Sequence, residues 1–174
     1  MSIWRWLGIE KPSAAPADDD ALGAIETALA SLAPERARYL ACFAYVLTRG
    51  ARADHGVTDD EIGAMERLVA DRGGIPPAEA GLVVRLAVHQ SFRSGASDDF
   101  GVTREFNALA SHDQKLALID CLFAVCASDA SVLTIEDNEI RRIARELRIE
   151  HADFVAIRGR YRDRLEVLRK RDST

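Results

Sequence analysis

The feature that most restricts what this chain can become is a helical hairpin, built around an acidic turn, that is written twice. The first copy of the turn is Asp54-His55-Gly56-Val57-Thr58-Asp59-Asp60-Glu61, and the second is Asp129-Ala130-Ser131-Val132-Leu133-Thr134-Ile135-Glu136. Each carboxylate follows an apolar helical run, with a valine three residues on and a glutamate seven residues on, where a new helix starts. The copies are 75 residues apart. At that offset Leu47 pairs with Leu122, Phe43 with Leu118, Met65 with Ile140, Leu68 with Ile143 and Arg67 with Arg142. Any two amphipathic hairpins share matches of that kind through their period alone. The aspartate–valine–glutamate coincidence between the helices is the specific part, and it predicts two pseudo-repeated halves.

No segment alternates with period two, so strands are not expected. Helical periodicity predicts a first helix over about 19–32 and a second from Pro34 to about Arg52, with Leu40, Phe43, Leu47 and Ala51 on one stripe. A third starts at Thr58, where Thr58 and Glu61 form a capping box, and stops at Gly73-Gly74. Pro76-Pro77 opens a fourth, and 94–99 is a polar break. A short helix over 102–110, one from about 112, one over about 135–147 and one long helix over about 151–170 complete the chain. The expected fold is all-α: a compact bundle of about seven to eight helices. Residues 1–18 read as a tryptophan-containing segment and linker, and 19–171 as the helical domain.

The chain has 174 residues, enough for one domain with a real core. Its formal net charge is −5, unevenly spread: residues 141–171 hold 11 Lys/Arg against 5 Asp/Glu. An acidic body argues against a nucleic-acid partner. Cys42, Cys121 and Cys126 lie in apolar runs without a C-x-x-C pair, which reads as three small buried hydrophobes. No apolar run approaches the ~18 residues of a membrane span, and no signal peptide is evident, so a cytoplasmic protein is expected.

The acidic turns are the candidate binding site. Asp54, Glu61, Asp129 and Glu136, with Asp59, Asp60, Asp137 and Glu139 beside them, offer oxygens to a hard cation, Ca²⁺ or Mg²⁺. One turn alone supplies too few ligands, so the halves must bring their turns together. The competing structural reading is that these carboxylates cap helix N-termini, at about 0.5–2 kcal/mol per cap. A second candidate is the segment Ile3-Trp4-Arg5-Trp6-Leu7, which holds both tryptophans. Trp4 and Trp6 would contact a protein partner or a membrane surface without spanning it, or fold back onto the bundle. An enzyme alternative rests on His89 and the His112-Asp113 dipeptide, ligand types of HD-type metal phosphohydrolases. The C-terminal arginines read as a solvated helix face, paired within the helix by Asp163 and Glu166 and with acidic turns elsewhere.

Ala53-Asp54-His55-Gly56-Val57 with Glu61, and Ser128-Asp129 with Val132 and the run Glu136-Asp137-Asn138-Glu139-Ile140-Arg141-Arg142-Ile143-Ala144, resemble the TerB-like tellurite-resistance family over about residues 22–168. They also resemble the N-terminal domain of DjlA-type co-chaperones, although no His-Pro-Asp of a J-domain occurs. The chain departs from the family's Asp-Gly turn: His55 and Ala130 stand in the glycine slot. The resemblance implies a helical bundle of two related halves and a non-enzymatic binding or scaffold role in tellurite or stress resistance. It also implies divalent-metal binding by acidic residues.

Overall fold

Three helices begin on proline, which lacks an N–H and is already fixed at a helical φ, so it fits the first turn and nowhere deeper. In the computed structural model these are α1 (Pro16–Ala30), α2 (Pro34–Gly50) and α4 (Pro77–Ser91). The others are α3 (Asp59–Gly73), α5 (Asp99–Leu109), α6 (His112–Ser128), α7 (Thr134–Glu146) and α8 (His151–Gly159). A 3-10 turn, Arg162–Arg164, leads to the single turn α9 (Glu166–Arg169). The structure describes residues 16–50, 59–91, 99–128 and 131–169, with side chains over 23–50, 60–88, 101–128 and 131–168. The fold is an all-α bundle, as the periodicity predicts, and α3 and α7 start 75 residues apart, at the offset of the repeated motif.

Two helices are apolar all round and therefore central. In α2 every residue from Tyr39 to Leu47 is buried, and in α6 every residue from Leu118 to Cys126. The other helices cover them in reciprocal fashion. The first half's α3 packs on the second half's α6, while α7 packs on both α2 and α6. Helix α4 covers α2 and α3, α5 lies against α2, and α8 lies against α6. One hydrophobic cluster therefore runs through both halves, from Ile25 and Leu29 in α1 to Phe154 and Ile157 in α8. Two aromatic groups lie in it. Tyr39 and Phe43 meet Phe106, with the Tyr39 and Phe106 rings 5.4 Å apart, and Phe123 meets Phe154 and Tyr161, with the Phe123 and Tyr161 rings 5.5 Å apart. All three cysteines are buried and unbridged, and desolvation by burial pushes the Cys42 and Cys121 thiols up to about 12.

The ends of the second-row helices are set by local backbone chemistry. Gly74 has φ +62°, the left-handed conformation glycine adopts without strain, and it turns the chain from α3 toward α4. The equivalent stop after α7 is made by Arg148 at φ 56°, with Ile149 N–H donating to Ala144 O and Arg148 N–H to Arg145 O, both at 3.0 Å. That bond pattern is a Schellman closure made without glycine.

The C-terminal region corrects the sequence reading. Instead of one helix over 151–170, the chain leaves the helix after Gly159 and turns back. Leu165 is extended, with φ −74° and ψ 115°, and fully buried. It forms a parallel bridge with Val132: Val132 N–H donates to Arg164 O at 2.8 Å and Glu166 N–H to Val132 O at 3.0 Å. Burying Leu165 beside the second acidic turn outweighs the remaining helical hydrogen bonds, because those groups find partners in the bridge. Among the described residues, no helix is long and apolar enough to cross a membrane.

Candidate functional site at the converging helix ends

The described part of α2 runs to Gly50, four residues before Asp54 in the sequence, and that of α6 to Ser128, next to Asp129. The two ends touch. The Cys126 thiol lies 3.5 Å from the Gly50 carbonyl oxygen. Gly50 permits this approach because it has no side chain: a Cβ there would stand 2.5 Å from a Leu122 methyl carbon. Asp54 and Asp129 themselves lie outside the described residues, as do His55, Ala130, Thr58 and both tryptophans, Trp4 and Trp6. The proposed Thr58 capping box is therefore not described either.

Beside Gly50 stands a residue the sequence reading did not single out. The Arg49 side chain is only 6% exposed. Its Nη1 donates to Thr103 Oγ1 at 2.6 Å and Glu146 Oε2 at 2.8 Å, and its Nη2 to Glu139 Oε1 at 2.8 Å. Arg142 flanks the same carboxylates, 3.1 Å from Glu146 and 3.6 Å from Glu139. Burial pushes the Glu146 carboxyl up, but hydrogen bonds and charge from Arg49 and Arg142 outweigh it and hold the group below its ordinary value. The available signal was an arginine in the last turn of an apolar helix with no acid three or four residues before it to pair with. The partners themselves are 90 and 97 residues away in the chain.

The carboxylates of the second turn are engaged by the protein. Glu136 accepts from the Leu133 N–H at 2.8 Å, half of a capping box. Leucine has no acceptor to supply the other half. Glu166 supplies a substitute across the bridge: its Oε2 accepts from Thr134 N–H at 3.2 Å and Thr134 Oγ1 at 3.1 Å. Asp137, 3% exposed, receives Nε and Nη2 of Arg158 at 2.7 Å each, with Arg141 at 3.8 Å. Glu139 is taken by Arg49 and Arg142. In the first turn, Asp60 and Glu61 are exposed at the start of α3, and the Asp59 side chain lies outside the described set. Among the described residues, no group of three or more His, Cys, Asp or Glu is arranged to hold a metal ion.

His112 opens α6 and faces Asp153 of α8 at 3.2 Å, with its side chain 56% exposed. The Asp113 side chain is exposed, and that of His89 is not described. The C-terminal arginines do reach acids elsewhere. Besides the Arg158–Asp137 pair, Arg160 lies 3.3 Å from Asp120, whose carboxylate also accepts from the Tyr161 hydroxyl at 3.0 Å. Glu166 reaches α7 at Thr134.

Two halves interlaced around α2 and α6, in contact at Gly50 and Cys126, is an arrangement that can be tested against known families. The model of the tellurite resistance protein TerB family matches residues 40–159. The chain belongs to the TerB family. The TerB match runs from the apolar stretch of α2 to the last residue of α8, so it spans both acidic turns and the Arg49 network. It stops before the bridge at Leu165 and the cap by Glu166. No curated protein and no solved structure matches the chain.

Proposed function

We propose that this TerB chain is a non-enzymatic binding module of tellurite or stress resistance that takes up a divalent cation, Ca²⁺ or Mg²⁺, between its two acidic turns. The observation that carries this reading is the 3.5 Å contact between Cys126 and Gly50. Asp54 follows Gly50 by four residues and Asp129 follows Cys126 by three, so both carboxylates belong to segments that leave one place. Ca²⁺ requires six to eight oxygens and Mg²⁺ a near-octahedral set, which a single turn does not provide and two adjoining turns do. Glu136, Asp137 and Glu139 are held by a helix N-terminus and by arginines, so the ligand set centres on Asp54 and Asp129, with Asp59 and Asp60 of the first turn beside them. The family membership supports a binding role over catalysis, in the cytoplasm, with a protein partner reached through the surface or through Trp4 and Trp6.

The test is calorimetric titration of the full chain with Ca²⁺, Mg²⁺ and Zn²⁺, repeated on Asp54→Asn and Asp129→Asn. Saturable binding that is lost in both variants is the expected result. Binding unchanged in both, or carboxylates more than about 15 Å apart when ligands must lie within about 2.6 Å of one ion, would sink the shared site.

A further inference from the structure

Between α7 and α8, on the other side of the second acidic turn's Asp137, lies a cavity of about 200 Å³. Arg141, Arg145, Arg158 and His151 line it, together with Phe154 and Ile149. Three arginines thus line one space. Among the described residues, the carboxylate paired with them is Asp137, buried against Arg158 and Arg141. Asp137 occupies Nε and Nη2 of Arg158, which leaves Nη1 with its two N–H groups uncommitted among the described residues. Arg145 is exposed and has no ion-pair partner among the described residues. The Arg141 guanidinium lies 5.9 Å from the centre of the Phe154 ring, stacked on the cavity's apolar wall. Val155, also lining the cavity, is 50% exposed, one of three large hydrophobic side chains left that open among the described residues.

This combination selects a ligand. Excess guanidinium charge recognises an oxyanion, through forked N–H donors that match a carboxylate or phosphate edge. The apolar wall of Phe154, Ile149 and Val155 stabilises a hydrocarbon portion attached to it. The volume is below the roughly 300–1,000 Å³ of pockets for larger ligands, which favours a small molecule. We propose that the cleft between α7 and α8 binds a small organic anion, one carboxylate or phosphate group carried on an apolar body. The proposal does not rest on the cation reading, since it uses none of the acidic-turn ligands.

The experiment is a titration of the full chain, without divalent ions, followed by two-dimensional amide NMR. The probes are phenyl phosphate, inorganic phosphate and benzyl alcohol, which present the two halves of the chemistry together and apart. Phenyl phosphate is expected to shift amides between 141 and 158 with an affinity of about millimolar, as suits so small a ligand. Each separate half is expected to bind at least about tenfold more weakly. Arg145→Ala, whose native side chain is exposed and unpaired, is expected to keep the fold and weaken phenyl phosphate by about tenfold, the loss of one charge-assisted hydrogen bond. Absence of shifts with phenyl phosphate overturns the proposal. So does equal binding of inorganic phosphate, or wild-type affinity in Arg145→Ala. An acidic, phenylalanine-containing peptide that shifts these amides where phenyl phosphate does not would overturn it too, and would mark the cleft as a protein-docking face.

Discussion

Asp137 and Arg158 form an ion pair whose two members are unequally buried. The Asp137 side chain is 4% exposed and that of Arg158 20%. Removing one member of such a pair leaves the other charge desolvated, which costs about 3–5 kcal/mol when no water reaches it. Arg158→Ala strands an almost fully buried carboxylate with only Arg141 at 3.8 Å, whereas Asp137→Ala strands a cation that can turn toward solvent. Arg158→Ala is therefore expected to destabilise by about 3 kcal/mol and Asp137→Ala by about half as much. Urea unfolding of the two variants checks this; equal costs would mean that exposure does not decide the penalty. At this scale the sequence was partly legible. It marks Asp137 as a carboxylate for capping or for metal binding. That its partner is Arg158, 21 residues on, depends on how α8 crosses α7 and is not written locally.

Helix α7 shows how far an element can depend on another part of the chain. Its Leu133 cap position has no side-chain acceptor, and Glu136 accepts from the Leu133 N–H. Glu166, brought back by the bridge at Val132 and Leu165, accepts from Thr134. Glu166→Ala is expected to cost about 1 kcal/mol, the usual cost of losing an N-terminal cap, and Glu166→Gln to cost clearly less because it retains an acceptor. Thermal unfolding of both variants measures the difference, and an Ala variant as stable as wild type would show that water replaces the cap at no cost. The eight main helices were legible from period, proline and glycine. The break after Gly159 was not: Leu165 and Leu168 keep a helical spacing from Tyr161, so period alone continues the helix. What ends it is a buried slot beside Val132, a tertiary fact.

At the scale of the whole molecule, Arg49 ties the first half to the second by holding Glu139 and Glu146 from α7 and Thr103 from α5. Arg49→Met keeps the bulk and removes the charge. Because Glu139 and Glu146 are partly exposed and keep Arg142, the expected cost is moderate, about 2 kcal/mol near neutral pH. The pH dependence carries a clearer signature. Glu146 has a folded value held below the unfolded one, so its stabilisation is present above the ordinary carboxylate value of 4.5 and is lost as pH falls below it. Arg49→Met is expected to flatten that acid limb, and an unchanged slope of stability against pH would assign it to other carboxylates. The sequence announced two halves through the repeated turns, but not which helices of one half would meet which of the other.

The reciprocal packing, α3 on α6 and α7 on α2, has a consequence for assembly. Neither hairpin row covers its own central helix completely; each lends a helix to its neighbour's. A single hairpin unit would therefore have to meet a second copy to be covered, and the covalent joint between the rows is dispensable in principle. Severing the chain within 92–98 is expected to leave two pieces that are each unfolded alone and regain helicity when mixed in equimolar amounts, measured by circular dichroism. If either piece folds cooperatively by itself, the two rows are independent. If neither does and the mixture does, the molecule is a homodimer-like embrace that has been threaded onto one chain, and association between separate chains by exchange of these helices becomes its characteristic route to misassembly.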